Sequence, residues 1–315
     1  MNRRPLLLLA AATVVVIAII GLWPGKDQDE PPAADGSAVA DAYVEAMGRQ
    51  HEGDTPQASE AAKQPPTAAV EHETVSYGSV NGEDFNGYLA HPAGVEGALP
   101  ALVMYHEWWG LNDNIRAMAD RLAAHGYLVL AADFYDGKVY DTRTGAQQAM
   151  NAALNDKARL AANIYAAFDY IKSKGAPQVG VIGWCFGGSM AFQNVLLTPA
   201  GLDAAVIYYG QVGGDAEKLA PIQSPILAFF GGRDESIPPK VIESFESTMH
   251  DLDKSLEVHV YADAGHGFAN PSGKAYEKKA AEDAWARMLA FLQAHMSPGG
   301  DEASASPAAP DDNPG

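Results

Sequence analysis

The chain has 315 residues, 47% of them hydrophobic, with 21 basic against 40 acidic side chains and a formal net charge of −19. That length allows one large domain or two small ones, and an acidic chain without clustered Lys and Arg excludes a nucleic-acid-binding face. A single cysteine, Cys185, excludes an intrachain disulfide framework and any CxxC zinc or redox site.

The chain opens with "MNRRPLLLLAAATVVVIAIIGLW", in which Arg3 and Arg4 precede an uncharged apolar run from Pro5 to Trp23. At helical rise this run is close to the thickness of a bilayer core. It reads as an uncleaved signal anchor over residues 1–23, with a cleaved signal peptide as the rival and a buried core helix as the third option. The run exceeds the usual apolar region of a signal peptide, and no small-x-small site follows it directly. The positive-inside rule keeps the two arginines cytoplasmic, so the remainder is expected outside the cytoplasm: periplasmic and membrane-anchored, or secreted if cleaved. Residues 24–71, rich in Pro, Ala and acids, read as a disordered tether, and residues 297–315 as a disordered tail.

The folding unit is therefore residues 72–296, which suits one α/β domain. With 16 basic and 26 acidic residues over 72–297, it would not steer polyanions inward. "TVSYGSV" and "FNGYLAHP" predict an opening hairpin, and "PALVMYHE" a buried strand. "NDNIRAMADRLAAHGY" predicts a helix capped by Asn112 or Asp113 and stopped at Gly126. Strand "YLVLAADFY" follows, then a long connection over 134–154, the helix "DKARLAANIYAAFDYIKSKG" and strand "QVGVIGW". After a bend at Cys185 comes a helix through Leu197. Strands "AAVIYYG" and "PILAFFGG", helix "PKVIESFESTMHDL", strand "LEVHVYADA" and a terminal helix complete the series. Such alternation predicts a mostly parallel sheet with helices on both faces.

Reactive groups gather at the carboxyl ends of parallel strands. There the sequence places His106 and Glu107, Cys185, Arg233 and Asp234, and His266. In "GWCFGG" glycines stand two before and two after Cys185, the spacing of a nucleophile elbow with Cys in place of Ser. The amides of the following helix would favour a thiolate, and the Phe186 N–H can face a developing oxyanion. His266, in "DAGHGFANP", can take the thiol proton, and Asp234, in "GGRDESIP", can orient it. "HEWWG" lacks the second histidine of a zincin, so no metal is expected.

These motifs, with "HEWWGLNDNIR", resemble the dienelactone hydrolase family of α/β-hydrolases across residues 73–296. The resemblance implies an α/β-hydrolase fold and cleavage of esters or lactones without a cofactor. It implies Cys185 as nucleophile, Asp234 and His266 as its partners, Glu107 as the acid beside the thiol, and the amides of Trp108 and Phe186 as the oxyanion hole. The family holds a substrate carboxylate with arginines. Here Asn270 stands at one such position and Arg143 is the alternative cation, so a neutral ester or lactone is the expected substrate. Trp109, Tyr135 and Phe268, with Trp108, Trp184 and Phe186, would make the pocket aromatic. A catalytically silent binding protein and a thiol redox sensor are the rival functions, the latter lacking a resolving cysteine. A small-molecule substrate and the membrane are the expected partners, with no nucleic acid, and a monomer is the default expectation.

Overall fold

The computed structural model describes residues 36–54, 58–60, 62–213 and 216–296. The expectations for residues 1–23 and 297–315 lie outside the described residues. Among the described residues, no helix is long and apolar enough to cross a membrane.

The first described element is helix α1 (Gly36–Gln50), followed by strands β1 (Val70–Val80), β2 (Glu83–Pro92) and β3 (Ala101–Tyr105). Helix α2 (Asp113–Ala123) leads to β4 (Leu128–Ala132), and two helices, α3 (Arg143–Asn155) and α4 (Lys157–Ser173), lead to β5 (Val179–Trp184). Then come α5 (Phe186–Leu197), β6 (Ala204–Tyr208), the single turn α6 (Ala216–Leu219), β7 (Ile226–Gly231), α7 (Pro239–Asp251), β8 (Leu256–Tyr261) and α8 (Lys278–His295).

The eight strands form one sheet in the order β1-β2-β4-β3-β5-β6-β7-β8. The β1–β2 and β2–β4 pairs are antiparallel and all later pairs are parallel. Strands β3, β5, β6 and β7 are buried at every residue, as apolar runs covered on both faces must be. Strands β1 and β8, at the two edges, are partly exposed. Asn112 caps α2 by accepting the Ile115 N–H, as expected. Helix α2 meets α8 through the Arg121 guanidinium, 4.0 Å from the Trp285 ring centre, while α4 and α5 pack together against the sheet.

Two sequence expectations are corrected. The 134–154 connection is not structureless, because most of it is α3, capped by Thr142. Its alanines and glutamines form a helix readily but carry a weak apolar stripe. Residues 24–71 are not a uniform tether either. From residue 36 to residue 50 the chain is α1, whose Val44 and Met47 are wholly buried. Helix α1 packs on α3, and Arg143 donates to the Gly48 carbonyl at 3.2 Å. Spacing of three residues puts Val44 and Met47 on one face, and that short stripe is what docks the helix.

Candidate active site

Strand β5 ends at Trp184, and Cys185 bends the chain into α5 with φ 59° and ψ −121°. A positive φ at a residue with a Cβ is strained, and hydrogen bonds hold it there: the Cys185 N–H donates to Tyr208 O at 3.0 Å. The flanking glycines are required by space. A Cβ on Gly183 would lie 2.0 Å from the Gly187 carbonyl oxygen, and one on Gly187 would lie 2.1 Å from the Tyr105 oxygen. Phe186 is the first residue of α5, so its N–H has no intrahelical acceptor.

Asp234 lies after β7 and divides its carboxylate between two tasks. Oδ1 accepts the Ser236 and Ile237 amides at 2.7 and 3.3 Å, which fixes the turn. Oδ2 lies 2.7 Å from Nδ1 of His266, from the loop after β8. Both side chains are fully buried. A carboxylate only accepts, so Nδ1 carries the proton and Nε2 is left free of protein partners. Burial alone would lower the His266 pKa, but the adjacent Asp234 charge outweighs it and raises the imidazolium to about 10.

A second histidine completes the surroundings of the sulfur, and it lies outside the motifs. His51 follows α1 directly, stacks on Trp108 with ring centres 4.8 Å apart and meets the His266 ring edge-on at 5.5 Å. Gly53 turns the chain with φ +80°, which returns the Asp54 carboxylate to His51 Nδ1 at 2.8 Å. One ring nitrogen each of His51 and His266 and the Cys185 Sγ lie within 4.8 Å of one another, all buried. Burial pushes the thiol up, but the two facing imidazoles of His266 and His51 overcome it and bring Cys185 down to about 6.

Gln50, one residue earlier, binds the same site. Its Nε2 donates to Asp234 Oδ1 at 2.9 Å and to Ser236 Oγ at 3.0 Å, and its Oε1 accepts the His266 N–H at 3.4 Å. Sequence reasoning missed Gln50, His51 and Asp54 because the segment was assigned to a tether. The signal was present in "YVEAMGRQHEGD", a short apolar stripe followed by His-x-x-Asp.

Glu107, after β3, is buried without an arginine partner. The Arg116 guanidinium lies over the Tyr88 ring. Glu107 accepts from Asn270 Nδ2 at 2.6 Å, and burial, reinforced by the Cys185 charge, raises its pKa to about 8. His106 is a brace: Nδ1 donates to the Glu107 carbonyl at 2.6 Å and Nε2 accepts the Phe134 N–H.

The candidate substrate residues fare unevenly. The Arg143 guanidinium donates to the Gly48 carbonyl of α1. Asn270 is spent on Glu107, and its Oδ1 accepts the Ser272 N–H. Trp109 packs on Trp108 and His51, Tyr135 on His106 and Phe186, and Phe268 on Tyr209 and Tyr261. All three are buried. A cleft beside Glu107, walled by Trp184, Tyr209, Asn270 and Pro271, has about 30 Å³ of free space. That is room for about two waters.

The dienelactone hydrolase family profile matches residues 85–296. The chain belongs to the dienelactone hydrolase family. A protein of Saccharolobus solfataricus named "Putative carboxymethylenebutenolidase" is 30% identical over 250 residues, covering 68% of this chain and 95% of the relative. A protein of the same name from Escherichia coli K12 is 29% identical, covering 67% and 83%. A crystal structure of a "Putative Dienelactone Hydrolase" from Klebsiella pneumoniae superposes with a TM-score of 0.63 at 26% identity, over 71% of this chain and 98% of that one. Membership in the dienelactone hydrolase family makes the protein a hydrolase of ester or lactone bonds. The match begins at residue 85, so α1, His51 and Asp54 lie before the part that defines the family.

Proposed function

We propose that the protein hydrolyses a compact, uncharged ester or lactone through a thioester on Cys185. One observation carries this reading: a strained nucleophile at a strand-to-helix bend, with the buried His266–Asp234 pair beside it. The thiolate attacks the carbonyl carbon, and the Phe186 and Trp108 amides are the donors available to the oxyanion. His266 protonates the leaving alkoxide and then takes a proton from the water that attacks the thioester, while Asp234 holds its ring. Glu107, neutral near pH 7 because of its raised pKa, adds no negative charge beside the thiolate.

The apolar surroundings and the absence of a cation at position 270 support an uncharged substrate. Cys185 is fully covered, so a substrate enters by displacing part of that cover. The same burial argues against an oxidant sensor, which needs an exposed sulfur. The Arg3–Arg4 apolar opening supports a membrane-anchored enzyme acting outside the cytoplasm.

The test is hydrolysis of short-chain aryl esters and small lactones by the full chain, with mass spectrometry of the quenched enzyme. A thioester mass on Cys185, and loss of turnover by at least about 10³-fold in Cys185→Ala and Cys185→Ser, is the expected result. Full activity in Cys185→Ala would end this mechanism.

A further inference from the structure

Two imidazoles face one sulfur, and their protons can be counted. His51 and His266 each commit Nδ1–H to a carboxylate, Asp54 and Asp234, so each neutral ring would aim a lone pair from Nε2. Neither Nε2 has a protein hydrogen-bond partner. The thiol has one proton to share between them, so one buried acceptor would stay empty, which is unfavourable in a dry interior. A second proton removes the deficit: two imidazolium rings then flank a thiolate, with one carboxylate behind each.

We infer that His51, oriented by Asp54, is a further catalytic residue that keeps its proton through the cycle and holds Cys185 as a thiolate, leaving His266 as the only proton shuttle. This rests on the hydrolytic reading above. Sγ attacks the carbonyl carbon, and the carbonyl π pair moves to oxygen. Collapse breaks the acyl–oxygen bond, and the leaving alkoxide takes the His266 Nε2 proton. Water then attacks the thioester carbon and gives a proton to His266, and collapse breaks the carbon–sulfur bond. The electron pair returns to Sγ opposite the still-protonated His51. Ester and water have become acid and alcohol. His51 thus stabilises the thiolate both as resting nucleophile and as leaving group.

The charges around this pair are accounted for. His51 faces Asp54, Cys185, His266 and Glu107, and Lys274 lies near Asp54, whose Oδ1 accepts the Lys274 N–H at 2.7 Å. Tyr43, Tyr135 and Tyr209 surround the sulfur; burial first raises their pKa values, then the Cys185 charge for Tyr43 and Tyr135 and the Glu107 charge ahead of Cys185 for Tyr209, and they stay neutral. Burial works against the His51 charge, but the Asp54 hydrogen bond raises it to about 9, and the thiol falls to about 6.

Because Cys185 is the only cysteine, its ionisation can be read without turnover, from the iodoacetamide alkylation rate of the full chain against pH. The wild type is expected to titrate near 6, with His51→Gln shifted upward by about one pH unit or more and Asp54→Asn shifted in the same direction by less. Asp54→Asn keeps the ring, so it reports even if His51→Gln fails to fold. An unchanged midpoint in either folded variant overturns the inference. So does one equivalent of zinc in the purified protein that is lost in His51→Gln, because the three side chains would then be metal ligands. Where an ester substrate is found, His51→Gln should slow thioester hydrolysis more than thioester formation. Absence of any substrate would count against the hydrolytic reading while leaving the titration result standing.

Discussion

At the scale of single residues, the bend at Cys185 is held by backbone crowding. Gly183 and Gly187 let strand and helix cross with carbonyl oxygens where a Cβ would otherwise stand. Gly183→Ala is therefore expected to destabilise the fold by about 3 kcal/mol or more, since the obstacle is backbone and cannot swing aside. Urea unfolding of the variant measures it, and a loss below about 1 kcal/mol would mean that the elbow relaxes. This crowding was legible in "GWCFGG", because an elbow requires glycine for a spatial reason that the sequence displays. The partner of Glu107 was not legible. Asn270 lies 163 positions away, and only the fold reveals that it is the residue bonded to that carboxyl.

At the scale of elements, alternation of buried strands and helices announced the sheet, since a parallel sheet needs apolar runs with crossovers between them. All eight strands appear where that pattern put them. The helices with weak stripes escaped notice. Helix α3 is mostly small and polar, and α1 is embedded in Pro-rich flanks that read as a tether. Yet α1 brings Tyr43 to Ser189 and His51 to Cys185, so its docking and the covering of the sulfur are linked. Met47 anchors it with no exposed surface. Met47→Asp should undock the helix and raise the alkylation rate of Cys185 by about tenfold or more. The measurement belongs above pH 9, where the thiol is ionised with or without His51 beside it. An unchanged rate would mean that other elements cover the sulfur by themselves.

At the scale of the whole molecule, the buried charges couple folding to pH. His51 and His266 have raised pKa values, so their contribution to stability is complete below about 6.5 and is lost as pH climbs through about 9 and about 10. Cys185 has a lowered one, so its contribution is complete above about 9 and is lost as pH falls through about 6. From pH 7 to 9 the folded site holds two protons, on the imidazoles, where the unfolded chain holds one, on the thiol. Stability should therefore fall by about 1.4 kcal/mol per pH unit, more steeply below pH 8 where Glu107 adds a bound proton. Urea midpoints at pH 7, 8 and 9 test this, and a flat or rising series would contradict it. Gln50 carries a further consequence. It joins side chains 184 and 186 positions away and a backbone amide 216 positions away. A chain emerging from the ribosome makes this segment early and its partners near the end. During synthesis the helix carrying Gln50 must wait for loops not yet made, and the assembled sulfur, acid and two imidazoles exist only once nearly the whole sequence is present.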